Sequence, residues 1–321
     1  MISIIIPTFN RATFIERAVK SVINQSYQDF EIIIIDDCSQ DNTDFVIEKL
    51  KTKYSQYKIK YFKNNQNKGA QYTRNRGIKN AKGEWIAFLD SDDEFLPERI
   101  EKALKKAKEK NVQIVHCECI VDYGNNVPVE KRGIRKLSGN IYHALLESSG
   151  PAFPGLFVKK ICFEKINFLD ESIVAHQEWE TSIRLAKYFE FGFIDEPLFI
   201  WHRGHEAISK DKKRNIVGHC QIIEKHANDI IKHLGKPFLQ RHYLTLAYKS
   251  YDQKDYMQAK LFFEKALFLT DKRRSFFIKL QSSICFMTIL NPRILDIKVI
   301  KRKTKKCLYG IIFSKQTGIK L

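Results

Sequence analysis

The sequence lacks a cysteine framework and a long apolar run, and its first residues do not read as a leader; each of these closes off a class of protein. Seven cysteines in 321 residues are an odd number without regular spacing. That excludes a disulfide scaffold and makes a reducing, cytoplasmic compartment the expectation. The N-terminus, Met-Ile-Ser-Ile-Ile-Ile-Pro, has no basic residue ahead of its apolar run, and it reaches Pro7 and Asn10 too early for a secretory signal. No stretch reaches the roughly 18 apolar residues that a membrane-spanning helix needs. The longest candidate, 276–290, is interrupted by Lys279, Gln281, Ser282 and Ser283. Acidic residues are scarce at one end: from Lys272 to Leu321 there are 13 Lys and Arg against one acid, Asp296. This segment therefore carries a net +12 of the formal +18. No zinc finger or RNA-binding signature accompanies the charge, so nucleic acid is not the expected partner.

What is present is a body able to fold. A hydrophobic fraction of 44% can fill a core, and 29% charged residues are close to average. Over the first 90 residues, apolar β-branched runs alternate with segments of helical period. The runs are Ile2–Ile6, Glu31–Ile35, Ile59–Phe62 and Trp85–Leu89. Helical spacing covers Phe14 to Ile23 and Tyr72–Ala81. Uninterrupted apolar strands are buried on both faces, and helical crossovers make them parallel, which is the doubly wound α/β pattern. Pro97 suits the first turn of a helix over Pro97–Lys110, Gln113–Val121 reads as a strand, and 124–170 as irregular. A helix over Gln177–Tyr188 and a last strand over Leu198–Trp201 follow. The charged stretch 209–215 reads as mobile. It divides a first domain, 1–215, from a helical C-terminal region, 216–321. Within that region Leu246, Ala247, Tyr256, Ala259, Phe263 and Ala266 have the small/aromatic spacing of one tetratricopeptide-like hairpin at about 240–270. A basic amphipathic tail, 272–321, completes the chain.

Three polar clusters fall at carboxyl ends of expected strands: Pro7-Thr8-Phe9-Asn10, Asp36-Asp37-Cys38-Ser39 and Asp90-Ser91-Asp92-Asp93. Ligands of an open α/β sheet bind at that edge. Five carboxylates crowded there repel one another unless a cation sits among them. A divalent ion such as Mn²⁺ or Mg²⁺, which takes one or two carboxylates plus substrate phosphates, is the natural candidate. Asp41 and Asp44 read as helix-start and turn residues instead. The turn after the first strand has no Gly-x-Gly-x-x-Gly, which argues against a dinucleotide-dependent oxidoreductase. His116-Cys117-Glu118-Cys119 is not a zinc site, because neighbouring strand side chains point to opposite faces. His219, His226 and His233, seven apart, read as one helix face.

Taken in order, Ile-Ile-Pro-Thr-Phe-Asn-Arg, Ile-Asp-Asp-Cys-Ser, Asn67-Lys68-Gly69 with Arg74-Asn75, and Phe88-Leu89-Asp90-Ser91-Asp92-Asp93 resemble the family 2 glycosyltransferases. The likeness covers about the first 100 residues, with weaker echoes to about residue 209. It implies a GT-A fold, Rossmann-like with a doubly wound mixed sheet, and an inverting, metal-dependent transfer from a nucleotide sugar, with UDP the expected nucleotide. It further implies that Pro7, Thr8, Phe9 and Asp37 hold the nucleotide, with Asp37 accepting from the uracil imide. Arg74 and Asn75 would line the base or phosphate side. Asp90 and Asp92 would form the Asp-x-Asp pair, with Asp92 the direct metal ligand. Arg203 and His205, in an Arg-x-His element, would fold over the diphosphate. The general base falls in His176-Gln177-Glu178-Trp179-Glu180, at Glu178, with Glu180 a surface runner-up. Gln177 stands where the family has an acid, which keeps open an impaired relative that only binds nucleotide sugar or membrane. The expected acceptor is a glycan or lipid-linked glycan of bacterial surface polysaccharide synthesis. In the tail, Phe276, Phe277, Ile284, Phe286, Met287, Ile289 and Leu290 interleave with bases, as in a helix lying on an anionic membrane. Peripheral attachment at the inner face of the cytoplasmic membrane follows as the expectation.

Overall fold

The structure, a computed structural model, describes residues 1–124, 130–132, 135–203, 211–270, 278–279 and 282–283. Two compact units are present, Met1–Phe238 and Leu239–Leu321.

The first unit opens with the alternation that the sequence announces. The strands β1 (Ile2–Thr8), β2 (Phe30–Asp36), β3 (Ile59–Lys63) and β4 (Trp85–Phe88) are linked by helices α1 (Ile15–Ile23), α2 (Thr43–Lys53) and α3 (Ala70–Asn80). All neighbouring pairs among these four strands are parallel. Every residue of β1 and β2 is buried, because helices cover both faces. Ile2, Ile4 and Ile6 pack with Ile15, Val19 and Val22 of α1 and Ile47 of α2. On the other face Ile5 lies against Gly77 of α3. Each fully buried isoleucine contributes on the order of 2 kcal/mol relative to exposure, so these strands anchor the unit.

The chain continues through β5 (Glu94–Phe95), α4 (Arg99–Lys110), β6 (Ile114–Asp122), β7 (Glu130–Arg132), α5 (Tyr142–Glu147), β8 (Leu156–Lys159) and α6 (Lys160–Lys165). It then forms α7 (Gln177–Ala186), β9 (Phe191–His202), α8 (Lys212–Lys225) and α9 (Ala227–Leu234). The sheet order is β3-β2-β1-β4-β8-β6-β9-β5, with β7 beside β6. It is a mixed sheet, because β8 enters antiparallel to both β4 and β6.

Several expectations change here. The described part of 124–170 is not irregular throughout: the short run Leu156-Phe157-Val158 supplies a central strand between two helices. Four residues are too few to show a period. The last strand begins at Phe191, not Leu198, and its register shifts against β6 near Pro197, where a missing N–H is tolerated at a bulge. Helix α4 begins at Arg99, so Pro97 precedes its first turn. Lys212–Asn215 are the start of α8, with the Asp211 side chain accepting from Arg214 N at 2.9 Å. The charge run is therefore a capped helix end, and α8 and α9 belong to the first unit. The three spaced histidines lie on two helices that meet at His226.

The second unit holds most of α10 (Lys236–Asp252) and α11 (Tyr256–Phe268). These pack as a hairpin: Tyr248 meets Phe263 edge-on at 5.4 Å, and Gln240 Nε2 donates to the Ala266 carbonyl at 3.1 Å. Leu246, Ala247, Ala259, Phe263 and Ala266 are buried. Of the tail from Lys272, only 278–279 and 282–283 are described, as helix; its basic and apolar clusters otherwise lie outside the described residues. No helix among the described residues is long and apolar enough to cross a membrane.

Candidate active site

The parallel register brings the strand ends to one edge. Thr8 pairs with Asp36 and Ile5 with Phe88, and Asp37 N donates to the Thr8 carbonyl at 2.9 Å. Pro7 and Thr8 are buried, whereas Phe9 is 41% exposed at the rim. The loops after β1 and β2 are tied together: Asn10, at φ 52°, donates from its backbone N to Ser39 Oγ at 2.9 Å and accepts from Gln40 N at 2.8 Å. Asp41 also joins them, accepting from Ala12 N at 3.1 Å.

The two acids that end β2 have separate tasks. Asp36 accepts from Ser39 N and Oγ and from the Tyr61 hydroxyl at 2.8 Å. Burial and that bond push the Tyr61 phenol above its ordinary range. The Asp37 carboxylate accepts from Asn64 Nδ2 at 2.8 Å, Lys68 N at 2.9 Å and Gly69 N at 2.7 Å. Gly69 sits at φ 86°, a conformation that glycine adopts without strain. Asp37 thus fixes the entry to α3. A carboxylate offers about four acceptor positions, so one remains after these three donors.

Helix α3 presents Arg74 and Asn75 in different directions. Arg74 Nη2 pairs with Asp90 Oδ1 at 2.6 Å, and its guanidinium stacks 4.3 Å from the Phe153 ring centroid. Asn75 turns to the chain ahead of α7. It accepts from Leu169 N at 2.9 Å and donates to the Leu169 carbonyl at 2.9 Å and to Glu171 Oε1 at 2.8 Å. Its amide therefore clamps residues 169–171.

At the end of β4 three aspartates crowd together. Burial raises the Asp90 carboxyl and Asp92 raises it further, while Arg74 opposes them. Asp93 is held well above the usual carboxylate range by burial, then by Asp90 and Asp92. Asp92 lies between two arginines: Arg11 Nε is 3.7 Å from Oδ2, and Arg17 Nη2 donates to its backbone carbonyl at 2.5 Å. No group of three or more His, Cys, Asp or Glu among the described residues is arranged to enclose an ion. The donor set still fits Mn²⁺ or Mg²⁺, since such ions use one or two carboxylates and complete the shell with water and phosphate. Burial first, and then the neighbouring aspartates, raise Asp90 and Asp93, and a cation here would favour their charged forms.

Behind this cluster stands a residue missed in the sequence, His202. Its Nδ1 meets Asp122 Oδ2 at 2.9 Å and its Nε2 meets Glu94 Oε1 at 2.7 Å. Its backbone N donates to Asp93 Oδ1 at 3.0 Å. Only the adjoining Arg203-Gly204-His205 signalled the region. Arg203 stacks on Trp201 at 4.4 Å, and His205 lies outside the described residues.

Glu178 is half-buried in the first turn of α7. Gln177 Nε2 donates to the Ile173 carbonyl at 3.0 Å, a bond that a carboxylate there could not make. Glu180 corrects the surface expectation, because it is fully buried. Arg184 Nε donates to Oε1 at 2.8 Å, and Lys225 lies 2.6 Å from the same oxygen. Burial alone would raise this carboxyl, but the His226 imidazole beside it and hydrogen bonds from Arg184 hold it at about 2. Such an ion-paired acid holds α7 to α8 and is a poor proton acceptor at neutral pH. Its folded pKa is below the ordinary 4.5, so its stabilisation is complete above about pH 4.5 and disappears as pH falls toward 2. Glu180→Gln is expected to cost about 3 kcal/mol at neutral pH and to flatten the acid limb, read from urea midpoints between pH 7 and 3.

The chain is similar to several known proteins. The profile described as glycosyl transferase family 2 matches residues 3–162. An uncharacterized glycosyltransferase of Haemophilus influenzae is 30% identical over 222 residues, covering 66% of this chain and 72% of its own. The GalNAc(5)-diNAcBac-PP-undecaprenol β-1,3-glucosyltransferase of Campylobacter jejuni is 38% identical over 133 residues, covering 41% of this chain and 42% of its own. The crystal structure of S. aureus TarS residues 1–349 in complex with UDP-GlcNAc has a TM-score of 0.65 at 18% identity, over 90% of each chain. The chain spans 46% of the length of its Rickettsia conorii relative. The mixed sheet with flanking helices is a GT-A fold. The chain belongs to glycosyl transferase family 2.

Proposed function

We propose that the protein transfers a sugar, with inversion, from a UDP-sugar to a hydroxyl of a glycan or lipid-linked glycan in bacterial surface-glycan synthesis. The observation that carries this reading is the Asp90–Asp92 pair at the end of β4, on the same sheet edge as Asp37. The names of relatives point the same way: one glucosylates an undecaprenol-linked glycan, and a structural neighbour binds UDP-GlcNAc.

In this reading Asp37 takes the imide N–H of uracil with its remaining acceptor position, and Phe9 covers the base. Arg74 orients Asp90, and Arg203 with His205 closes on the diphosphate. Asp90 and Asp92 would hold a Mn²⁺ or Mg²⁺ ion, which would supply positive charge to the leaving diphosphate. Glu178 accepts the proton of the acceptor hydroxyl. The freed oxygen bonds to the anomeric carbon on the face opposite the diphosphate, whose C–O bond breaks, so nucleoside diphosphate leaves and the anomeric configuration inverts. A thermal-shift screen of nucleotide sugars with Mn²⁺ tests donor and metal together, because a bound donor stabilises the folded state by mass action. A shift with UDP-sugars that needs the ion is expected; equal shifts without metal would remove the metal from the reading.

The same proposal places the enzyme at an anionic membrane through residues 272–321. Each engaged base contributes about 1 kcal/mol near an anionic leaflet. Truncation after Asp271 is expected to abolish co-sedimentation with anionic liposomes, and high salt to weaken that of the full chain. Equal sedimentation of both forms would place the membrane contact elsewhere.

A further inference from the structure

The stretch between α6 and α7 carries the proposed base into position, yet it has no regular structure of its own. Three of its residues, Asn167, Phe168 and His176, have φ between 55° and 62°, a strained region for side-chain-bearing residues. His176 is also the residue from which α7 starts, without a side-chain cap. What holds such a segment must come from outside it.

The support comes from three helices. Arg184 of α7 donates to the carbonyls of Ile166 and Phe168 at 2.6 and 2.7 Å. Asn75 of α3 pairs with both backbone groups of Leu169. The part next to α7 is held by α8. Gln221 accepts from Val174 N at 3.0 Å and donates to the Ser172 carbonyl at 2.9 Å, much as a strand neighbour would. Arg214 Nε donates to the Val174 carbonyl at 2.8 Å. One turn from each lies Gly218, where a Cβ would fall 2.5 Å from the Ala175 carbonyl oxygen and 2.8 Å from its N. Only glycine lets the helix backbone come that close. His219 then meets the Trp179 ring edge-on at 5.2 Å. Successive faces of α8 thus contact residues 172, 174, 175 and 179, on both sides of Glu178.

We propose that α8 is a splint for the base: Gln221, with Gly218 and Arg214, are positioning residues that fix the carboxylate of Glu178 against the acceptor hydroxyl. This rests on the reading of Glu178 as the base. The contacts described for these residues are with residues 172–175 and not with the carboxylates of β2 or β4, so their loss is expected to affect turnover and leave donor binding intact.

Gln221→Ala is expected to lower kcat about 10- to 100-fold, the scale of a small misplacement of a reacting group, with donor KM unchanged within about twofold. In a Glu178→Gln background the same substitution should cost nothing further, because residues acting through one group are not additive. A purely structural role would instead reduce both backgrounds alike. The nucleotide-sugar thermal shift reports whether each variant is folded. If the alanine variant is not, Gln221→Met, which keeps the volume and loses both hydrogen bonds, carries the test with the same readouts. A parental kcat in the Gln221 variant beside an impaired Glu178→Gln overturns the splint alone, as does an equal fold-loss in both backgrounds. Full turnover of Glu178→Gln overturns the base assignment and the splint with it.

Discussion

Asp92→Ala leaves the protein folded and removes sugar transfer, with a loss of about 10³-fold or to background, the scale set by deleting a charge-stabilising group. The fold loses little. The Asp92 carboxylate lies 3.7 Å from Arg11 Nε, a long and partly accessible ion pair, and pairs of this kind contribute about 0–1 kcal/mol. Removing this charge even relieves Asp90 and Asp93, whose carboxyls it pushes upward. Stability should therefore hold or rise slightly while the metal-dependent part of nucleotide binding disappears. Transfer assays and nucleotide thermal shifts, each with and without Mn²⁺, read the two effects. Parental turnover in the variant with Mn²⁺ or Mg²⁺ present would show that this carboxylate holds no ion.

Glu178→Gln is the second large effect, and it should separate chemistry from binding. Turnover is expected to fall about 10²–10⁴-fold, the usual contribution of a positioned base, while donor affinity stays within a few-fold. The amide keeps the size of the side chain and cannot take the proton. Glu180→Gln supplies the contrast two residues away. It breaks the buried pairs with Arg184 and Lys225, so its cost falls on stability and on the acid limb. If Glu180→Gln lost turnover at full stability and Glu178→Gln did not, the proton would go to the buried acid.

The parts of this site that the sequence reveals are those with strong local signals. Burial on both faces made β1, β2 and β4 continuous apolar runs, and their ends located Asp37, Asp90 and Asp92 before any contact was known. The rest depended on tertiary partners. β8 is a strand because β4 and β6 flank it, and its four residues have no pattern that requires one. Asn75 reads as a ligand from its place beside Arg74, but one step along a helix turns a side chain about 100°, toward Leu169 instead of Asp90. Glu180 looked like a surface acid because its cationic partner Lys225 lies in α8, 45 residues on. The charge run at 209–215 concealed the start of that helix, since charge alone does not distinguish a loop from a capped end.

The antiparallel entry of β8 also sets an order of assembly. Every strand contact of β1, β2, β3 and β4 with one another closes within the first 88 residues, through short crossovers. β4 finds its other neighbour only at Leu156–Lys159, and β5 pairs with Phe199 and Ile200, more than a hundred residues later. Local pairings form quickly and distant ones slowly, and a chain emerging from the ribosome makes its early segments available first. The Asp90–Asp93 turn lies between β4 and β5, at the seam between the two phases. The nucleotide-side half thus takes shape while the nascent chain is short, whereas the carboxylate cluster is completed only when β9 arrives to lay His202 against Asp93.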